Sequence, residues 1–242
     1  MTENRILALA LKATEFNDAD KIVTLLTPDG KMTAILKGVK RDKAKLKYAA
    51  EPFCFGEYQF AGKCGMATVT GCEQQESFFA LTKDLTKFYC GCSVLEIALH
   101  TAQEGQENPA LFVTVLRALQ QLCLDEVNPS FVLIKFVLSV FENQGQKLSF
   151  SKCEECSEPI TEGVRFDFES GGLLCGGCAS PSAFVLDPTV AAILRIISEF
   201  DFERLKTYKC SEGLIKNTLI FLGGLLQNHV HKIKSLKELI EL

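Results

Sequence analysis

Asp20-Lys-Ile-Val-Thr-Leu-Leu-Thr-Pro-Asp-Gly-Lys31, continued by Met32-Thr-Ala-Ile-Leu36, is two apolar runs of strand length joined by Pro28-Asp29-Gly30. Proline presets φ early in the turn and glycine accepts a positive φ at its end, so the stretch predicts a β-hairpin. Working outward, Arg5 to Lys12 is a further apolar strand. Glu51 to Ala61 carries Phe53, Phe55, Tyr58 and Phe60. Gly62 to Gly65 turns into Met66 to Cys72, where Thr68 and Thr70 alternate with apolar neighbours. Five short strands within about 80 residues, each bounded by turn residues, suit a small closed barrel of the SH3-like or OB type.

The hydrophobic period then changes. Leu85, Phe88, Cys92, Leu95, Leu99 and Ala102 recur at helical spacing within Leu81 to Gln103. Asn108-Pro109, Asn128-Pro129 and Asp187-Pro188 each place a capping side chain before a proline at the first helical position. These predict helices to Leu124, Glu142 and Phe200, and Ser211 to Val230 predicts a long final one. The expected class is α+β. A barrel domain occupies 1–80 and a helical domain 81–242, with an insert at about 150–182.

That insert holds Cys153-Glu-Glu-Cys156 and Cys175-Gly-Gly-Cys178. Each C-x2-C turn aims two thiolates at one centre, and two turns complete a tetrahedron about 2.3 Å from a zinc ion. Val164, Phe166 and Phe168 alternate, and Gly171-Gly172 turns before Leu173 and Leu174, a hairpin that would bring the second turn beside the first. With no histidine nearby, a closed four-thiolate site leaves no open position, so the expectation is one structural Zn2+ ion. Iron in the same cage and two redox pairs are the alternatives. The insert holds few large apolar residues, so its order is expected to depend on the metal. The other cysteines (Cys54, Cys64, Cys72, Cys90, Cys92, Cys123, Cys210) read as small buried hydrophobes.

Charge is unevenly spread over the 242 residues, whose formal net charge is −4. Residues 1–47 balance to +4, 48–203 to −12 and 204–242 to +4. Leu36 to Lys47 concentrates Lys37, Lys40, Arg41, Lys43, Lys45 and Lys47 against the single Asp42. A cationic loop leaving a barrel hairpin is an electrostatic track for phosphates. Six contacts would give a log–log salt slope of about −4 on single strands. Phe16, Tyr48, Tyr58 and Phe60 are the candidate base-stacking rings, with the barrel core as the competing and favoured place for each. Arg204 to Lys237 holds seven Lys/Arg and only Glu212, a second candidate surface or a solvated helix face.

No phosphate-loop, dinucleotide, nucleophile-elbow or H-E-x-x-H motif is present. His229 and His231, two apart on a helix, would diverge around it. A role without catalysis is expected. No apolar run approaches the roughly 20 residues of a membrane span. The longest dense one, Phe131 to Phe141, contains Lys135, and the start lacks a basic signal segment. The expected place is the cytoplasm, associated with the nucleoid.

The run Asp20 to Lys31 followed by Ile35-Leu-Lys-Gly-Val-Lys-Arg41, and the order barrel, helices, cysteine insert, helices, resemble the RecO recombination mediators of bacteria over nearly the whole chain. The resemblance implies an OB-fold N-terminal domain and a helical domain with an inserted zinc finger. It implies single- and double-stranded DNA binding and annealing of complementary strands. It further implies loading of RecA onto strands coated by single-stranded DNA-binding protein (SSB), together with RecR and in some species RecF, with contact to SSB's acidic C-terminal tail. Carried over by position, the loop cations are Lys37, Lys40 and Arg41, and the zinc ligands are Cys153, Cys156, Cys175 and Cys178. Leu36 stands where a small residue usually precedes the Lys-Gly, and Val39 precedes the basic pair. The competing expectations are a zinc-stabilised protein–protein adaptor without direct DNA binding, and a redox protein using the C-x2-C pairs.

Overall fold

The computed structural model describes residues 4–61, 66–146, 148–160, 164–169, 171–181 and 183–242. The turn expected at Gly62 to Gly65, and with it Cys64, lies outside the described residues.

Five strands close a barrel in the order β1-β2-β3-β5-β4, the α+β, OB-type arrangement expected. Strand β1 (Asn4–Phe16) is longer than its apolar run suggests and does two jobs. Its first half pairs with β4 (Phe55–Ala61) and its second half with β2 (Asp20–Thr27). A register shift between Ala10 and Lys12 marks the change of partner, a bulge of the kind that turns a barrel corner. Strand β3 (Gly30–Leu36) pairs antiparallel with β2 and parallel with β5 (Ala67–Glu76). β4 begins later than Glu51 because Phe53 adopts φ 72° and turns the chain there. The small residues Ala8, Ala10, Ala34, Ala49 and Ala50 leave room for Tyr58 at the centre. It is fully buried, and its hydroxyl donates to the Ala49 carbonyl at 2.9 Å.

Gly30 is required twice over. Its φ is +107°, and a Cβ there would stand 2.5 Å from the Gln106 carbonyl oxygen and 2.7 Å from that of Gln103. The hairpin turn is thus pressed onto the 103–108 segment, where the Lys31 N–H donates to Gln103 and the Asn108 N–H to Pro28.

The helices are α1 (Leu85–Thr101), α2 (Pro109–Leu122), α3 (Pro129–Asn143), α4 (Pro188–Glu199), α5 (Glu212–His229) and α6 (Lys234–Glu241). Asp84, Asn108, Asn128, Asp187 and Ser211 each accept a backbone N–H in the first turn, so the expected starts hold except that α1 begins after a 3₁₀ turn at 79–83. α3 is buried all round, and Leu9, Leu11, Leu26 and Phe53 of the barrel join the same core. Helix α6 has no counterpart in the periodicity reading. It is capped from afar by Glu96, whose carboxylate accepts the Lys234 and Ser235 N–H groups at 2.9 Å each. The final long helix ends at His229, so His231 is not on it. The His231 ring packs against that of His100, tilted by 36° with centroids 4.0 Å apart.

The insert forms a small sheet, β7-β6-β8, from β6 (Arg165–Asp167), β7 (Gly172–Leu174) and β8 (Phe184–Val185). The expected hairpin is β6–β7. It is not poor in core residues: Phe150, Val164, Phe166 and Leu173 belong to the main hydrophobic core.

Candidate nucleic-acid interface and metal centre

The basic loop leaves β3 at Leu36 and is rooted from below. Leu36 and Val39 are both buried in the barrel, so the apolar departures from the family pattern anchor the loop. Asp20, at the start of β2, accepts the Gly38 N–H at 2.7 Å, and Gly38 takes φ +66° to present it. The Lys40 N–H donates to the Ala19 carbonyl at 2.9 Å. Two short turns follow, Arg41 to Gly38 and Ala44 to Arg41, before Tyr48 starts a single 3₁₀ turn.

This path exposes Lys37, Arg41, Lys43, Lys45 and Lys47. Lys47 donates to the Asp42 carbonyl, and none of the five is ion-paired with a carboxylate among the described residues. Lys40 differs. Its ammonium lies 2.9 Å from Glu15, and that contact, hydrogen bond first and charge second, holds the Glu15 carboxyl below its usual range. Of the four candidate rings, Tyr58 and Phe60 are core and Tyr48 is half-buried, its hydroxyl donating to the Cys72 carbonyl. Phe16 stands 41 % exposed beside the loop's root, across from Asp20 in the β1–β2 register.

Three of the C-terminal cations meet an aromatic ring or a carboxylate. Arg204 lies over the Phe200 ring, Lys206 faces Glu126 at 3.8 Å and Lys237 faces Glu241 at 3.3 Å.

In the insert, the sulfur atoms of Cys153, Cys156, Cys175 and Cys178 all lie within 4.8 Å of one another, with Cys156 and Cys175 3.9 Å apart. Four sulfurs about 2.3 Å from a central ion would be separated by about 3.8 Å, so the cage fits a tetrahedral metal. The Glu154 N–H bonds to the Leu173 carbonyl at 2.8 Å and brings the two C-x2-C turns together. Backbone N–H groups, first that of Cys156 and then those of Cys175 and Glu155, stabilise the Cys153 thiolate and lower its pKa to about 6. The crowding acts oppositely on Cys178, whose pKa contact with Cys175 and then Cys156 raises. A bound cation would stabilise the thiolate forms that coordination requires. Four cysteines here can hold a metal ion.

Residues 1–78 match the family model described as Recombination protein O N terminal, and residues 82–237 match that of Recombination protein O C terminal. The chain belongs to the RecO family. A protein named DNA repair protein RecO from Dehalococcoides mccartyi is 29% identical over 212 residues, covering 86% of this chain and 83% of that protein. Its namesake in Alkaliphilus metalliredigens is 27% identical over 226 residues, 92% of each chain. That of Anaeromyxobacter dehalogenans is 30% identical over 203 residues, 81% of this chain and 80% of the relative. This is a RecO-family DNA repair protein.

Within this RecO-family chain the structure adds residues that charge counting passes over. Asp20 and Gly38 form the latch of the loop, and both stand in the run quoted for the resemblance, so the signal was present without its role. Glu15, Lys21 and Glu51 gave no signal, because their proximity arises only when β1, β2 and the end of the 3₁₀ turn at 48–50 meet. No helix among the described residues is long and apolar enough to cross a membrane.

Proposed function

We propose that this chain is a recombination mediator that binds single- and double-stranded DNA through the barrel's basic loop and anneals complementary strands. With RecR, and in some species RecF, it would help load RecA onto SSB-coated DNA in the cytoplasm. The observation that carries the reading is the row of five exposed cations, Lys37, Arg41, Lys43, Lys45 and Lys47, rooted on buried Leu36 and Val39 in a chain of the RecO family.

No bond need be broken. Cations lying between two phosphate backbones reduce their mutual repulsion, and exposed bases then pair. Phe16, exposed at the loop's root, would receive an unstacked base. Competition for SSB's acidic tail would loosen the coat. The barrel (1–80) carries the DNA face in this reading and the helical part (81–242) the partner contacts. Cys153, Cys156, Cys175 and Cys178 would hold one zinc ion, which supplies a structural cross-link and no chemistry.

With Lys40 already held by Glu15, five free cations predict a log–log salt slope of about −3.5 on single strands. The test is annealing of SSB-coated complementary oligonucleotides by the parent and by a folded, metal-loaded variant with Lys37, Arg41, Lys43, Lys45 and Lys47 changed to Gln. Annealing by the parent alone supports the proposal. Annealing by both moves the DNA surface elsewhere, and annealing by neither favours the adaptor. Failure of an acidic tail peptide to bind at low salt would remove the SSB contact.

A further inference from the structure

At the end of the barrel where β1 stops and β2 starts, four side chains of alternating charge meet. Lys21 Nζ lies 3.1 Å from Glu51 Oε1, and Lys40 Nζ lies 2.9 Å from Glu15 Oε2. Glu15 and Lys21 are direct partners across the β1–β2 ladder, so the two pairs are contiguous. The members are not equivalent. The cations are the inner ones, with side chains 27 % and 28 % exposed, while Glu51 and Glu15 are 60 % and 74 % exposed. Lys21 is fixed in a strand, and Lys40 by its backbone bond to Ala19.

We propose that Lys21 and Lys40 form a second phosphate-binding site, with Glu51 and Glu15 as internal counter-ions that an incoming phosphodiester displaces. The outer member of an exposed ion pair is weakly held and regains water on leaving. Here that member is the anion in both pairs, so what would remain is two cations already in position. Lys37 and Arg41 flank the same corner, either side of the latched Gly38, and continue the track. The natural ligand of the site, a nucleic-acid backbone, rests on the DNA-binding reading; its phosphate chemistry does not. Engagement exchanges one anion for another, so the site adds little net attraction until its carboxylates are removed. It would restrain binding in the free protein, which suits a protein that must release annealed strands.

The experiment is the salt dependence of oligothymidylate binding by the full chain. Glu15→Gln with Glu51→Gln frees two cations, so the log–log slope should steepen by about 1.4 and low-salt affinity should rise about tenfold. Lys21→Gln with Lys40→Gln, added to that variant, should restore the parental slope. An unchanged slope overturns the proposal. So does weaker binding or a fallen Tm in the Glu-to-Gln variant, since the quartet would then be a structural plug. A parallel titration with tripolyphosphate, followed by NMR of the lysine ammonium groups, separates the two claims. Lys21 and Lys40 signals that move in the Glu-to-Gln variant, in a chain that ignores DNA, would keep the site and sink the DNA reading. Steep DNA binding indifferent to Glu15 and Glu51 would do the reverse.

Discussion

The basic loop and the cysteine insert are both excursions from the folded body, yet they are secured in opposite ways. The loop places its charged side chains in water and is held by backbone bonds and the Asp20 latch. The insert drives Phe166, fully buried, into the core between Phe150 and Phe221, with ring centroids 6.4 and 4.9 Å away. The loop can therefore lose its charged side chains without unfolding anything, whereas the insert is both a four-cysteine cage and part of the hydrophobic interior.

Disabling the proposed zinc cage should show the largest effect, because closed thiolate sites in small modules supply much of their folding free energy. Cys153→Ser with Cys175→Ser should abolish stoichiometric zinc by elemental mass spectrometry and lower Tm by about 15 °C, from roughly 5 kcal/mol. Phe166→Ala should keep the zinc yet cost about 3–5 kcal/mol, or about 10 °C by calorimetry. If the alanine variant melts like the parent, the insert is only a cage, and the contrast with the loop narrows to ligands alone.

On the loop side, Asp20→Ala leaves the Gly38 N–H without its charged acceptor. It should cost about 1–2 kcal/mol and raise amide hydrogen exchange at Gly38 and Lys40. Unchanged exchange would mean that buried Leu36 and Val39 alone root the loop.

The smallest expected effect is on α6 and comes with pH. Burial, then the charge of His231, lowers the His100 pKa from its ordinary 6.5. Protonation is thus less favourable in the folded chain, so stability is full above pH 6.5 and falls as pH drops through that value. Glu96 acts further down. Burial alone would raise its carboxyl, but bonds from Ser235 and Lys234 outweigh this and leave it lowered. Its contribution is present above the ordinary value of 4.5 and is lost as pH falls through the lowered one. Amide exchange in α6 should increase first below pH 6.5, and His231→Ala should shrink that first step, since burial of His100 remains, while leaving the Glu96 step.

What the sequence made legible was whatever is encoded by a local pattern. Pro28-Asp29-Gly30 specifies its turn through φ preferences, each Asn-Pro or Asp-Pro step specifies a helix start, and the four cysteines specify their cage by ligand spacing. What escaped depends on who meets whom. Helix α6 is short and polar on most faces, and the carboxylate that caps it comes from residue 96, which no window along the chain connects to 234. For Tyr58 and Phe60 the favoured place, the barrel core, is the one they take, whereas nothing in the local pattern told Phe16 apart as the exposed ring. Lys40 looks like its neighbours in charge, but Glu15 reaches it only after β1 has changed partners at its bulge. The insert's aromatics were visible as an alternating strand, though not as members of a core built from helices far away in sequence.

The docked turn at Gly30 has a mechanical consequence. Strands β2 and β3 run from that turn to the loop, and the seven residues of β3 span about 20 Å. One end of this ribbon is clamped to the 103–108 segment by hydrogen bonds and a contact too close for any side chain, while the other carries the cations. The hairpin is a stiff beam fixed at its base. A load applied at the loop is borne at the seam between barrel and helices, and Gly30 is the rivet.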